Sequence, residues 1–309
     1  MIIDEYYVED NLMCLDKISS ESIDLTYIDP PFATGRNFHN FNDKWADVGD
    51  FVNSFMKPRL EKIYKATKKS GTLVIHVDLC AVHYLKVLLD SIFDYSNFRN
   101  EIIWMTTGNR KSKKKFQRTH DVLLVYSKSK NYTFNPIYLP YGKEYKLKNN
   151  VKKDERGEYV TTAAHNSQPN VIKREKLRYV WNGHSKQWWW SKDRMQRLHN
   201  ENRLKYNNDG IPRIKRYLSE MPGVPIRDVW TDISSIQKPE KIDYATQKPI
   251  KLLERIIFAY TNEDNLVLDC FAGSGTTGVA CINLQRHYIL IDKNEDGLNF
   301  FKHRLNSEI

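Results

Sequence analysis

The sequence predicts an α/β fold whose largely parallel sheet draws strands from both ends of the chain, with a basic segment set between them. Residues 1–130 alternate between strand-like and helix-like patterns, the signature of such a sheet. Residues 240–309 return to that alternation and carry a glycine-rich turn between two strands. Across residues 131–239 the alternation breaks down, and residues 128–220 hold 21 Lys and Arg against 9 Asp and Glu. The division expected is therefore 1–130, 131–239 and 240–309.

Taken in order, "IDLTYID" reads as a strand that reaches Asp29, and a polar loop follows to about Asp50. "FVNSFMKPRLEKIYKATKKSG" reads as a helix stopped by Gly71. "TLVIHVD" is nearly all apolar, as expected of a parallel strand covered on both faces. A helix from Leu79 to about Ser91 and the strands "NEIIWM" and "DVLLVYSK" come next. In "QKPIKLLERIIFAYT", Pro249 suits a first helical turn, and Leu252, Leu253, Ile256, Ile257 and Tyr260 form an apolar stripe. "LVLDCFAGSGTTGVACINL" reads strand, turn, helix; "HYILID" is a strand, and a last helix runs to about Leu305.

A chain that is 40% hydrophobic and 28% charged belongs to the soluble globular class, and no apolar run approaches the ~18 residues of a membrane span. The acidic start "MIIDEYYVEDN" lacks the basic segment of a secretory signal. Cys14, Cys80, Cys270 and Cys281 stand singly, without zinc or disulfide spacing. No metal is expected, and a reducing bacterial or archaeal cytoplasm fits. The net charge of +10 points to a polyanionic partner, with a lysine-rich solvated surface as the alternative.

Two motifs carry chemistry. Gly273, Gly275 and Gly278 follow the G-x-G-x-x-G spacing, and Asp292 stands 23 residues after Asp269, where an acid can hold a ribose diol. Only 17 residues follow Asp292, so the remaining strands must come from the N-terminal part. Asp269 at the turn opposes a pyrophosphate but suits an ammonium, such as the methionine end of S-adenosylmethionine. The second motif is Asp29-Pro30-Pro31-Phe32, an acid, two residues without backbone donors, and a flat ring.

In this order, "YIDPPF", "YATQKPIKLLERII", "LVLDCFAGSGTT" and "YILID" resemble the β-group of S-adenosylmethionine-dependent DNA amino-methyltransferases. "HDVLLVYSK" and "RIKRYLSEMPGVPIRDVWTDI" also look like solitary members of that group, so the resemblance spans nearly the whole chain. Cys270 departs from it, since proline is common there. The resemblance implies a Rossmann-like methyltransferase sheet, circularly ordered, with residues 131–239 as an inserted target-recognition domain. It implies S-adenosylmethionine as cofactor, double-stranded DNA as substrate and a role in restriction-modification. A cognate restriction endonuclease is then a candidate partner, and a dimer is one option for the oligomeric state.

The chemistry agrees with the resemblance. An exocyclic base amine is a poor nucleophile until it pyramidalises, which acceptors for its two N–H bonds favour. Asp29 and the Pro30 carbonyl can accept them, and Phe32 can stack a flipped base. By resemblance Asp10 meets the cofactor's adenine, although it can equally cap the helix that follows. Asp292 takes the ribose; Asp269, Phe271, Gly273, Ser274, Gly275 and Thr276 surround the methionine part. Thr246, Lys248 and Pro249 close the site from the other side, Lys248 being alternatively a surface residue.

Lys111, Lys113, Lys114, Lys115 and Arg118 are expected at phosphates, as are Arg213, Lys215 and Arg216. Trp188 to Trp190 either brace a duplex or pack a core, and His120 and His165 are structural or DNA-contacting. The loop after Phe32 either closes over the site or is plain surface. None of the four cysteines follows a proline, which counts against ring-carbon cytosine methylation. Adenine-N6 methylation is the leading reading. Cytosine-N4 methylation, a silent DNA-binding specificity module and an RNA substrate are its alternatives.

Overall fold

The computed structural model describes residues 1–31, 45–106, 114, 116–117, 119–168, 175–236, 240–242, 244 and 246–307. The chain divides into two compact units, Met1–Pro136 with Arg227–Ile309, and Ile137–Ile226.

The first unit opens with β1 (Glu5–Val8), α1 (Asn11–Asp16), β2 (Ile23–Ile28) and the short α2 (Val48–Asp50). A π-helical stretch, Phe51–Met56, carries α2 into α3 (Lys57–Ala66). Then come β3 (Thr67–Val77), α4 (Val82–Phe93), β4 (Phe98–Met105) and β5 (His120–Ser127).

The second unit holds β6 (Tyr138–Leu139), α5 (Lys143–Lys148), β7 (Lys152–Asp154), β8 (Gly157–Ala163), β9 (Arg178–Trp181) and β10 (His184–Gln187). It ends with α6 (Lys192–Asn200), β11 (Leu204–Tyr206), β12 (Pro212–Tyr217) and β13 (Val224–Pro225). The first unit then resumes with β14 (Val229–Trp230), α7 (Ile250–Tyr260), β15 (Leu266–Asp269), α8 (Thr276–Asn283), β16 (His287–Asp292) and α9 (Glu295–Ser307).

Eight strands of the first unit form one sheet in the order β1-β16-β15-β2-β3-β5-β4-β14. From β1 to β3 every pairing is parallel, whereas β5 runs antiparallel to both β3 and β4. The seam between the two ends of the chain is β15 against β2, with Val267 opposite Leu25 and Leu268 opposite Thr26. From that seam α8 leads outward to β16 and α3 leads the opposite way to β3. Such a switch point leaves a crevice at the carboxyl ends of the strands. All six residues of β2 are buried, which accounts for its unbroken run from Ile23 to Ile28. Leu60, Ile63, Ile75, Leu85, Leu89 and Leu268 belong to the core beside it.

Two boundaries differ from the sequence pattern. α3 ends at Ala66, not at Gly71, because Thr67 turns extended (φ −68°, ψ 132°) and pairs with Ile23 while its hydroxyl donates to Ile63 O at 2.7 Å. Gly71 lies within β3, where a Cβ would come 2.8 Å from Ile23 O, so the glycine permits close approach of two strands rather than ending a helix. Pro249 is extended (φ −61°, ψ 136°) and precedes the first helical residue of α7.

The second unit has a four-stranded sheet, β11-β12-β8-β7, and two-stranded pairs β10-β9 and β13-β6. Trp181, Trp188, Met195, Leu198, Leu204 and Ile214 pack its core. Trp188 is fully buried and its indole N–H donates to Tyr179 O at 2.8 Å, so this tryptophan packs a core. The unit is shorter than the 131–239 span. Asn135 donates to Phe258 O and Thr261 O, and β14 adds to the edge of β4, which ties both flanks to the first unit. Among the described residues no helix is long and apolar enough to cross a membrane.

The glycine turn is held by packing as well as by backbone form. Gly275 has φ +72°, and a Cβ there would stand 2.5 Å from the Phe301 ring of α9. Gly275→Ala should therefore lower stability by about 2 kcal/mol or more, from left-handed strain and overpacking together. Urea unfolding checks this: the midpoint should fall with an unchanged slope.

Candidate active site

A cavity of about 900 Å³ opens at the carboxyl ends of β16, β15 and β2, within the size range of ligand sites. Three of those strand ends supply acids to its wall: Asp292, Asp269 and Asp29. The expected residues Asp10, Pro30, Pro31, Thr246 and Lys248 also line it, as do Phe271, Gly273, Ser274 and Thr276 of the glycine turn. Pro249 and Gly275 stand outside the wall. Phe32 lies outside the described residues, as does residue 33–44 of the loop expected to close over the site.

Asp29 follows the last residue of β2, and its two oxygens differ. Oδ2 forms an ion pair with the ammonium of Lys248, both side chains being mostly buried. Oδ1 is buried and has no hydrogen-bond partner among the described residues. Lys248 is thus neither a surface residue nor turned only toward a cofactor; its charge meets the acid of the Asp-Pro-Pro motif.

Asp269 is buried at the end of β15. Burial pushes its carboxyl up to about 7, and the neighbouring Asp29 and Asp292 add to the rise. The Thr277 hydroxyl and the Phe271 N–H, the latter at 3.0 Å, donate to it and oppose the shift. Asp292 is also raised by burial, against N–H groups of Asn294 at 2.9 Å and Gly273 at 2.8 Å. Gly273 takes φ +50°, and its carbonyl accepts from the buried Tyr6 hydroxyl at 2.7 Å. Two raised carboxylates around one cavity favour a cationic occupant.

Asp10 fulfils the helix-cap expectation and also lines the cavity. It caps α1 by accepting from Leu12 N at 2.9 Å, and it lines the cavity 3.7 Å from Arg59. The buried Arg59 guanidinium donates to Asn11 Oδ1 at 2.7 Å, and the Asn11 amide donates to Cys270 O at 2.6 Å. This chain of bonds fixes the backbone at Cys270. Sequence reasoning missed Asn11, Arg59, Tyr244, Thr277, Lys293 and Asn294, all on the cavity wall. Thr277, Lys293 and Asn294 directly follow motif residues and could have been read by extending each motif; Arg59 carried no local signal.

Of the basic residues expected at phosphates, Lys111, Lys113, Lys115 and Arg118 lie outside the described residues, and Lys114 is exposed. Arg213 and Arg216 are exposed on β12. Lys215 is a correction: it is 8% exposed, and its ammonium donates to Asp154 at 2.8 Å. Its charge is committed inside the unit. Two lysines not expected from the sequence stand on the same sheet, Lys205 opposite Arg213 in the β11–β12 pairing, and Lys152 on β7. The Lys152 ammonium is pushed below its usual range, first by Lys205 and further by Arg213. Like charges so placed repel one another.

The fold recurs in known proteins. Type II methyltransferase M.EcaI of Enterobacter cloacae is 29% identical over 92% of this chain, which spans 65% of that protein's length. Type II methyltransferase M.KpnI of Klebsiella pneumoniae is 29% identical over 93% of this chain and 80% of its own. The structure of PvuII DNA methyltransferase (cytosine-N4-specific) superposes with a TM-score of 0.53 at 15% identity, covering 98% of this chain and 92% of that one. The family profile described as DNA methylase matches residues 23–302, from the first residue of β2 into α9. A match of that extent, on a chain whose acids meet at the seam of one parallel sheet, places the protein in the DNA methylase family.

Proposed function

We propose that the protein is a site-specific DNA methyltransferase that uses S-adenosylmethionine to methylate N6 of an adenine swung out of duplex DNA. The observation that carries this reading is Asp29 Oδ1, a buried carboxylate oxygen without a partner among the described residues, on the wall of an acid-lined cavity. An unsatisfied buried acceptor is costly, and a substrate N–H satisfies it.

The cavity suits the cofactor. S-adenosylmethionine carries two positive centres, a sulfonium and an ammonium, and the raised Asp269 and Asp292 are the groups that such charges relieve. Asp269 and the turn from Phe271 to Thr276 hold the methionine part, Asp292 takes the ribose diol, and Asp10 lies toward the adenine. When bound, the cofactor supplies an electrophilic methyl group. Asp29 Oδ1 accepts one N–H of the target amine and the Pro30 carbonyl accepts the other, which localises the nitrogen lone pair. Positioning of that amine is then the main catalytic contribution of the chain.

Lys152, Lys205, Arg213 and Arg216 supply phosphate contacts in the target-recognition unit. Adenine is favoured because Asp-Pro-Pro usually goes with adenine and Ser-Pro-Pro with cytosine in proteins resembling this one. Cytosine-N4 methylation is the second reading, supported by the fold shared with the cytosine-N4-specific PvuII enzyme. A bacterial or archaeal cytoplasm and pairing with a restriction endonuclease accompany the proposal.

Asp29→Ala should reduce methyl transfer to background while leaving S-adenosylmethionine binding within a few-fold. Asp292→Ala should chiefly weaken the cofactor. Calorimetry together with a tritiated-methyl assay separates the two, and the assignments are wrong if the effects are exchanged.

Asp269 makes cofactor binding pH-dependent. Its carboxyl is held up to about 7 before a cation arrives, and a bound ammonium favours the ionised form. Affinity should therefore fall as pH drops below about 7, by up to tenfold per unit. Asp269→Asn should flatten that profile; a wild-type affinity constant from about pH 5.5 to 7 would refute the coupling.

The product decides the base. Nucleosides from DNA methylated by the protein should contain N6-methyladenine on mass spectrometry. N4-methylcytosine in its place would move the assignment to the second reading, and neither product would remove the proposal.

A further inference from the structure

Beneath the Asp-Pro-Pro motif lies a buried group that the reading above does not use. His76 of β3 is completely buried, with Nε2 3.3 Å from Asp121 Oδ2 of β5 and Nδ1 3.2 Å from the Tyr27 hydroxyl of β2. The same Nδ1 stands 3.9 Å from Asp29 Oδ1, beyond hydrogen-bond reach. Trp104 packs edge-on against the ring, which limits its rotation.

The direction of each hydrogen bond follows from what the partners can do. An ionised carboxylate only accepts, so Asp121 selects a proton on His76 Nε2. Tyr27 is 2% exposed, and burial together with the nearby Asp29 charge raises its hydroxyl well above the usual phenol range, so the O–H keeps its proton. A buried O–H must donate, and its hydrogen bond among the described residues is to His76 Nδ1. Both ends therefore fix the same arrangement, with Nε2 the donor and Nδ1 an acceptor already filled by Tyr27. Were Nδ1 to carry a proton instead, a small shift would let it donate to Asp29 Oδ1 and cover the acceptor.

We propose that His76, held as the Nε2–H tautomer by Asp121 and Tyr27, is a positioning residue that keeps Asp29 Oδ1 open for the reacting amine. This rests on the role given above to Asp29. His76 touches neither substrate nor cofactor; it acts by withholding a donor. The geometry generalises a familiar device, in which a carboxylate fixes a histidine tautomer, to a site where the histidine's task is to remain silent.

The tautomer can be read without any turnover. Long-range ¹H–¹⁵N spectra of the full-length protein, with the His76 signals assigned from their loss in His76→Gln, should show a protonated Nε2 and an unprotonated Nδ1. A proton on Nδ1, alone or with one on Nε2, would overturn the proposal. Tyr27→Phe keeps the ring and removes the donor, so His76 gains freedom to protonate at Nδ1. In that variant the spectrum should change, and the single-turnover methylation rate should fall about tenfold or more. The dissociation constants for S-adenosylmethionine and DNA should stay within about twofold. An unchanged rate, or a loss confined to binding or folding, would refute the positioning role. If wild-type protein transfers no methyl group, the functional reading fails, and the spectra still decide the tautomer.

Discussion

Acidic groups crowded at the carboxyl ends of neighbouring parallel strands set the terms for the surrounding structure. Burying acids is unfavourable: Asp269 is raised first by its burial and further by the neighbouring Asp29 and Asp292. The chain answers in a repeated way. Asp269 accepts from the N–H of Phe271, Asp292 from Asn294, Asp78 from Cys80 and Asp10 from Leu12, each two residues further on. Each of these four acids thus organises the turn that follows it, and the turns after Asp10, Asp269 and Asp292 contribute to the cavity wall. Lys248 reaches in from the segment before α7 to balance Asp29. Several acids that line the cavity are thus also the groups that order the turns around it.

Much of this was legible in the sequence. Continuous apolar runs identified β2, β3, β15 and β16, because strands covered on both faces have no solvent side to mark. The glycine spacing and the two acids 23 residues apart picked out Gly273, Asp269 and Asp292, which the structure brings to the wall of one cavity. The shortfall of strands after Asp292 pointed to a sheet completed by the N-terminal part, and the β15–β2 pairing is that completion.

What the sequence left hidden depends on contacts between distant segments. Arg59 lies on an ordinary amphipathic helix, and only the fold brings it to Asn11, 48 residues away. The pairing of Lys248 with Asp29 spans 219 residues and has no local pattern. Lys215 looked like its neighbours Arg213 and Arg216 because an inward-turned lysine on a strand has the same letter as an outward one. Gly71 was misread for a related reason: a glycine that ends a helix and one that admits a neighbouring backbone are identical until the register of β2 against β3 is known.

The seam between β2 and β15 has a temporal side. The Leu266 N–H donates to Asp24 across 242 residues of chain, so β2 waits on one flank for a neighbour made much later. At the usual pace of bacterial synthesis, about 5–20 residues per second, that interval is on the order of 10–50 s. During it one edge of β2, a strand buried along its whole length in the folded protein, is an uncovered template, the kind of surface that attracts chaperones or other unfinished chains. The second unit is drawn from one continuous stretch, Ile137–Ile226, so its strands need no partner made outside that stretch. A nascent copy would thus hold all the strands of its second unit before the larger sheet could close at the β2–β15 seam.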